Sequence, residues 1–149
     1  MKQTPLKAKD VNKEIAHYKV ELSKKDTVVL AEEGERKFII VNKQKNFFYH
    51  GERIVPTLRL LQRREMLKKI VVDMGAIKFV IKGADIMRPG IKKINHEIKK
   101  DEFIVVVDEK NDKPLAVGIA LFNGKEIEQQ TSGKVIKNIH YVGDDIWNA

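Results

Sequence analysis

Hydrophobic positions along the chain change their spacing, and each change predicts a different element. After Asp10, the apolar residues Val11, Ile15, Tyr18 and Leu22 have the spacing of one face of a helix, and a helix is predicted there. Three runs of β-branched and aromatic residues then predict a small antiparallel meander, with strands at residues 27–31, 37–41 and 47–49. The polar residues 1–7 contain a proline, and we expect a loose end there.

A second helix is predicted over residues 57–70. Thr57 follows Pro56 and has the side chain of a good N-cap, and Glu65 stands four residues before Lys69, the spacing of an ion pair on a helix. Arg59, Arg63 and Arg64 make this helix strongly basic.

Beyond residue 74 the pattern is mostly that of short strands. They are expected at residues 77–82, 103–108, 115–122, 134–137 and 139–142. Pro89-Gly90 and Asn123-Gly124 are interpreted as turns between elements. Many short strands with few helices favour a closed or nearly closed barrel. We therefore expect an α+β protein with a small N-terminal α+β domain, residues 1–73, and a β pseudo-barrel, residues 74–149.

Composition places the chain among folded proteins with a polyanionic partner. Hydrophobic residues make up 42% and charged residues 34% of the 149 positions, and cysteine is absent, which excludes disulfides and thiolate chemistry. No apolar run approaches the roughly 20 residues that cross a bilayer, so no membrane partner and a cytoplasmic location are expected. The net charge is +8, of which residues 1–73 hold +7 and residues 74–100 hold +5, against −4 in residues 101–149. Such clustering favours nucleic acid.

The segment GADIMRPGI, residues 83–91, is the first candidate site. Gly83 and Gly90 permit sharp turns, Gly90 with a positive φ, and a backbone without side chains lets an RNA phosphate approach. The predicted contacts here are Gly83, Ala84, Arg88, Pro89, Gly90, Lys92 and Lys93. The alternative is that both glycines only make the turn; Ile86, Met87 and Ile91 are expected in the core.

The basic helix is the second candidate. Arg59, Arg63 and Arg64 are predicted to follow a phosphate backbone, with a solvated helix face as the alternative. The short connection to residues 78–93 leads us to expect that both basic segments form one surface. Phe47, Phe48 and Tyr49 could stack on bases, but a strand needs an apolar face, so at least two are expected in the core.

No catalytic, metal or cofactor site is predicted. The four histidines lack ligand spacing, and no phosphate-binding loop or nucleophile elbow appears. His140 is expected to hydrogen-bond in place, Asp144-Asp145 to cap the C-terminal turn, and Trp147 to fill the core.

Three long motifs carry a resemblance to a known family: FFYHGERIVPTLRLL at residues 47–61, GAIKFVIKGADIMRPGI at 75–91, and NIHYVGDDIWN at 138–148. The last two resemble the PUA domain, an RNA-binding pseudo-barrel. All three together resemble the malignant T-cell amplified sequence family, in its archaeal-type form, related to the partner of density-regulated protein and to ligatin. The resemblance covers residues 47–149; the first 45 residues match in general layout.

The resemblance implies RNA binding in translation without catalysis. The implied partners are tRNA or rRNA, the small ribosomal subunit and a density-regulated-protein-like partner, in initiation or in recycling. Two alternatives stay open: an RNA-binding specificity subunit for a tRNA- or rRNA-modifying enzyme, and a protein-interaction scaffold.

Overall fold

The protein is described by a computed structural model that covers residues 1–149. It divides into two compact units, Met1–Met66 and Leu67–Ala149. The sequence suggested a boundary after residue 73, whereas this division falls after residue 66. The reason is that residues 69–72 form a strand that pairs within the second unit. None of the helices has the length and apolar character needed to span a bilayer.

The first unit is an antiparallel sheet of five strands in sequence order. The strands are β1 (Lys2–Pro5), β2 (Val28–Glu33), β3 (Arg36–Val41), β4 (Gln44–His50) and β5 (Arg53–Pro56). Its helices are α1 (Ala8–Ile15), a 3-10 turn (Ala16–Tyr18) and α2 (Leu58–Leu61). The expected loose end is wrong for residues 2–5, which pair with β2 although all four are exposed.

Both faces of this sheet are covered. Phe47 and Phe48 are neighbours on β4 and both are buried, whereas successive side chains of a strand point to opposite faces. The prediction that at least two of the three aromatic residues lie in the core is therefore confirmed. Ile15 and Tyr18 of the first helical segment are also buried, and the Tyr18 hydroxyl donates to the Ile54 carbonyl.

The second predicted helix is shorter than expected. Thr57 is its N-cap, as predicted, and its Oγ1 accepts from the backbone N–H of Leu60 at 3.3 Å. The helix ends at Leu61, so the prediction over 57–70 is wrong beyond that residue. Residues 62–65 offer no apolar side chain to bury, and residues 69–72 are held between two strands of the other unit.

The second unit contains a six-stranded mixed sheet in the order β7-β11-β10-β9-β6-β8. The strands are β6 (Lys69–Val72), β7 (Ile86–Met87), β8 (Ile91–Ile94), β9 (Phe103–Asp108), β10 (Pro114–Ala120) and β11 (Lys134–Tyr141). Its helical segments are a 3-10 turn (Met74–Ala76), α3 (Ile77–Val80), a 3-10 turn (Arg88–Gly90) and α4 (Gly124–Gln129).

The sheet curls into a nearly closed barrel. Its two outermost strands, β7 and β8, are separated in sequence only by the 3-10 turn Arg88–Gly90, so the two ends of the sheet must meet. A core of buried aliphatic residues fills the barrel, with Ile70, Ile104, Val106, Ala116 and Ile136 fully buried. The predicted fold class, an α+β protein ending in a PUA-type pseudo-barrel, is confirmed.

Three local predictions in this unit are wrong. Residues 77–82 form helix α3 and its exit rather than a strand, because the Asp73 side chain accepts from the backbone N–H of Ala76 at 2.9 Å and starts a helical turn. Asn123-Gly124 is the start of α4 rather than a simple turn. The strands predicted at 134–137 and 139–142 are the single strand β11, with a bulge opposite Val117 and Gly118.

Candidate functional site

A surface groove of about 450 Å³ lies on the second unit beside α3. The residues that line it come from three stretches of the chain: Asp73, Gly75, Ala76, Phe79 and Val80; residues 84–87; and Pro89 with Gly90. The predicted site residues Ala84, Pro89 and Gly90 therefore lie in its wall, and Gly83 adjoins it. The groove is formed mainly by apolar side chains and backbone.

Exposed apolar side chains distinguish this groove from the rest of the surface. Phe79 is 57% exposed and Met87 50% exposed, and both line it. The expectation that Met87 lies in the core is wrong, although Ile86 and Ile91 are buried. Because β7 alternates between core and solvent, Met87 must point outward once Ile86 points inward. Clustered exposed apolar groups mark a binding surface.

A tight turn after α3, residues 81–85, forms one rim and is here called the Gly83 loop. Gly83 has φ +92°, and an added Cβ would lie 2.9 Å from the ring of Tyr141. The predicted need for glycine is thus both conformational and steric at Gly83. Gly90 does not have a positive φ, so that prediction is wrong; its φ lies in the ordinary range, and a Cβ there would meet Ala76 at 3.4 Å.

Three exposed lysines, Lys78, Lys92 and Lys93, stand close in sequence to residues of the groove wall. Lys92 and Lys93 are adjacent and both exposed, because a bulge pairs Lys93 with Val71 and Ile91 with Val72 and leaves Lys92 as the extra residue. Lys78 lies with its Nζ 5.2 Å from the centre of the Phe79 ring, a cation–π geometry. Phe79 and Lys78 were placed in a strand by the sequence; an aromatic residue followed by Val-Ile-Lys-Gly gives no signal of exposure.

Arg88 is engaged within the barrel. Its Nε donates to the Ile127 carbonyl at 2.8 Å and its Nη1 to the Ile91 carbonyl at 3.3 Å, and the residue is half-buried. These bonds tie the 3-10 turn to the end of α4. The guanidinium therefore holds the 3-10 turn in place, in addition to any contact with an anion.

The carboxylates of the groove are already hydrogen-bonded. Asp73 caps the 3-10 turn before α3. Asp85 accepts from the backbone N–H of Asn138 at 2.9 Å and pairs with Lys134 at 3.2 Å. Neither carboxylate is presented alone to a ligand, so the groove offers mainly apolar contact.

The basic residues of the first unit lie on and after α2. Arg59, Arg63 and Arg64 are all exposed. Arg63 donates to the Asn46 side chain at 2.8 Å and to the Arg59 carbonyl at 3.3 Å, which fixes its guanidinium against β4. The structure thus brings Arg59 and Arg63 together, as the spacing of one turn predicted.

The C-terminal segment is organised by a buried pair, His140 and Asp144. The Asp144 carboxylate is hydrogen-bonded to His140 Nδ1 at 2.9 Å and accepts from the backbone N–H groups of Tyr141 and Trp147. Burial raises the pKa of the Asp144 carboxyl, but the hydrogen bond and charge of His140 and the two N–H groups outweigh it, so the pKa lies below its ordinary value. The predicted capping role is confirmed, whereas Trp147 is only half-buried.

No group of three histidine, aspartate or glutamate side chains is placed to hold a metal ion.

The nearly closed mixed sheet of the second unit belongs to the PUA class of pseudo-barrel. The PUA domain family matches residues 68–142, and the family described as "Domain of unknown function (DUF1947)" matches residues 6–64. The chain belongs to the PUA-domain family that includes the malignant T-cell-amplified sequence proteins, which confirms the resemblance carried by the three motifs.

Relatives span archaea and eukaryotes. The chain is 47% identical over 128 residues to an uncharacterized protein of Methanocaldococcus jannaschii, covering 85% of this chain and 79% of that protein. It is 35% identical over 133 residues to malignant T-cell-amplified sequence 1 of Rattus norvegicus, covering 85% and 73%. It is 36% identical over 101 residues to translation machinery-associated protein 20 of Schizosaccharomyces pombe, covering 64% of this chain and little more than half, 56%, of that protein.

Two solved structures extend the comparison. A hypothetical protein of Pyrococcus horikoshii matches with a TM-score of 0.86 and 35% identity, covering 99% of this chain and 98% of that one. A chain of an H/ACA ribonucleoprotein bound to a substrate RNA matches with a TM-score of 0.53 and 26% identity, covering 64% of this chain and 29% of that one.

Proposed function

We propose that this protein binds RNA in translation without catalysing a reaction, and that the groove beside α3 is where it holds unpaired nucleotides. The observation that carries the proposal is the exposed Phe79 ring in an apolar groove, with Lys78 over that ring and the exposed Lys92 and Lys93 two and three residues after Gly90 of the groove wall. Aromatic faces stack on bases, and lysines neutralise phosphates. The domain family and the names of its relatives favour RNA and translation.

The finer role proposed is contact with tRNA and the small ribosomal subunit during initiation or recycling, in the cytoplasm. A groove of this size accepts a nucleotide that is splayed out of a helix rather than a duplex, and single-stranded ends are where sequence-specific RNA recognition concentrates. A density-regulated-protein-like partner belongs to the same proposal. Its support is the membership of the malignant T-cell-amplified sequence family.

The stacking part is tested with Phe79→Ala. Loss of one stacked base costs about 1–3 kcal/mol, so affinity for unfractionated tRNA should fall about 5- to 150-fold. Ile81→Ala is the matched control, because Ile81 is an exposed apolar residue two positions after Phe79 that does not line the groove. Equal affinities of wild type and Phe79→Ala in fluorescence anisotropy would contradict a nucleotide in the groove.

The electrostatic part is tested with the double variant Lys92→Ala/Lys93→Ala. Each lost phosphate contact should reduce the slope of log affinity against log salt by about 0.7 on single-stranded RNA. Lys99→Ala/Lys100→Ala removes the same charge from a pair of exposed lysines before β9 and should leave the slope nearer to that of the wild type. Identical slopes for wild type and Lys92→Ala/Lys93→Ala would remove these lysines from the interface.

A second candidate, an RNA-binding subunit of a modifying enzyme, is favoured by the likeness to the H/ACA ribonucleoprotein chain. Affinity purification of the tagged full chain discriminates between the two. Co-purified small ribosomal subunits or tRNA support the proposed role. A modification enzyme as the main co-purified mass would replace it with the second candidate, and proteins without RNA would point to the scaffold.

A further inference from the structure

One residue of β11, Asn138, makes three hydrogen bonds to the wall of the groove. Its side-chain Nδ2 donates to the carbonyls of Val80 at 3.1 Å and Ala84 at 3.0 Å. Its backbone N–H donates to the Asp85 carboxylate at 2.9 Å. All three acceptors belong to residues that line the groove. The two carbonyls stand at the start and near the end of the turn, so a single amide spans the Gly83 loop.

Strand pairing does not hold this loop. The ladder between β7 and β11 ends at the pair Ile86 and Ile136. At the next outward position the Asp85 carboxylate takes the place of a strand partner for the Asn138 N–H. The loop's own hydrogen bonds are short-range turns, such as Gly83 N–H to the Val80 carbonyl at 3.0 Å. Without the Asn138 side chain, the remaining contacts are the local turns, the packing of Gly83 against Tyr141, and the bonds of the Asp85 carboxylate to Lys134 and to the backbone N–H of position 138. None of them bridges the carbonyls of Val80 and Ala84.

The orientation of the Asn138 amide is set by its two donor bonds. Its Oδ1 is buried and has no hydrogen-bond partner. Exchanging the amide oxygen and nitrogen would bring that oxygen against two carbonyl oxygens, so the donors fix the orientation.

We infer that Asn138 is a positioning residue for nucleotide binding: it holds the Gly83 loop in the shape that opens the groove beside Phe79. The inference deepens the proposed function and rests on it. Asn138 touches no ligand itself, since its side chain is occupied beneath the loop. This also explains the pairing of two distant motifs, because the first residue of NIHYVGDDIWN holds the loop in GAIKFVIKGADIMRPGI.

The test is a graded series in the full chain, Asn138→Ser and Asn138→Ala. A serine hydroxyl can donate to one carbonyl and alanine to none. The increase in hydrogen exchange and the loss of tRNA affinity should therefore both be larger in Asn138→Ala than in Asn138→Ser. Amide hydrogen exchange should accelerate at residues 81–84. If the competent loop becomes about a tenth populated in Asn138→Ala, affinity for unfractionated tRNA should fall about tenfold. The salt slope should stay that of the wild type, because no phosphate contact is removed.

Asn148→Ala is the control. Asn148 also donates its Nδ2 to a backbone carbonyl, that of Gly143 at 3.0 Å, but it lies outside the groove wall. Exchange at residues 81–84 and tRNA affinity should match the wild type in this variant.

The inference is overturned if wild-type protein binds tRNA and Asn138→Ala binds it equally well. It is also overturned if exchange accelerates evenly across the second unit, since Asn138 would then only support the fold. Should Asn138→Ala fail to fold, the serine variant decides by the same two readouts. Absence of tRNA binding by the wild type is a different result: it removes the proposed function and this inference with it.

Discussion

Adding a single methyl group at Gly83 should disturb the structure of the groove wall. Gly83→Ala must adopt φ near +92° and displace the Tyr141 ring, 2.9 Å from the new Cβ. Gly143→Ala is the matched control, since its φ of +95° is equally unfavourable but open space surrounds its Cβ. Both should lose about 1–3 kcal/mol of unfolding free energy from backbone strain, and Gly83→Ala should lose more and weaken tRNA binding.

Urea unfolding followed by circular dichroism and anisotropy with tRNA provide the two measurements. Equal stability losses in the two variants would mean that Tyr141 moves aside without cost. Unchanged RNA affinity in Gly83→Ala would separate the loop from the binding site.

Asp144 should make stability depend on acid pH. Its pKa lies below the ordinary 3.8, so the folded state favours the carboxylate, and the stabilisation is complete above that value and lost as pH falls below it. Asp144→Asn should therefore be less stable than the wild type at neutral pH, and the difference should shrink in the range below about 3.8. Urea midpoints measured across this range check it; a constant difference at all pH values would contradict the shift.

At the scale of elements, α4 begins at a cap formed by Asn123 and, three residues later, Glu126. The Glu126 carboxylate accepts from the backbone N–H of Asn123 at 3.1 Å, half of a capping box, and Asn123 Oδ1 accepts from the backbone N–H of Lys100 at 2.8 Å. Asn123→Ala should lower the unfolding free energy by about 1 kcal/mol, whereas Asn123→Asp, which keeps the acceptor, should lower it less.

Fluorescence of Trp147, the only tryptophan, reports unfolding of the second unit in these variants. If alanine and aspartate at position 123 give the same midpoint, the side-chain acceptor contributes nothing to the start of α4.

Elements whose own residues show a clear strand pattern were predictable from the sequence. Elements that depend on a single capping side chain or on a distant pairing strand were not. The strand predicted at 103–108 is β9 with the same bounds, because six consecutive buried residues leave no other interpretation. Residues 77–82 contain β-branched and aromatic residues that favour a strand, but Asp73 starts a helix there. Residues 69–72 continue a helical spacing, yet pairing with β8 and β9 makes them a strand.

The residues of the candidate site likewise separate into those that the sequence predicts and those that it does not. The glycine turn and its lysines were visible in the sequence because Gly, Pro and charge are local signals. Phe79 and Met87 were missed, since their exposure is set by α3 and by the closure of β7 onto β11. Asn138 gave no signal at all, because its role exists only when residues more than fifty positions apart come together.

At the scale of the whole molecule, we predict that the arginines of the first unit also contact RNA. Replacing Arg59, Arg63 and Arg64 with alanine in the intact chain should reduce both tRNA affinity and its salt slope. The control replaces Lys7, Lys9 and Lys13 with alanine, which removes equal charge from exposed positions at and within α1. Equal losses in the two variants would indicate general attraction to a basic protein, and no loss in either would confine binding to the second unit.

The central claim is that RNA lies in the groove beside α3. Ultraviolet crosslinking of the wild-type protein to tRNA, followed by mass spectrometry of the peptide–nucleotide adducts, tests it most directly. The account predicts adducts within residues 73–93, with Phe79 among the modified residues. Efficient crosslinking with every adduct outside that segment would contradict it.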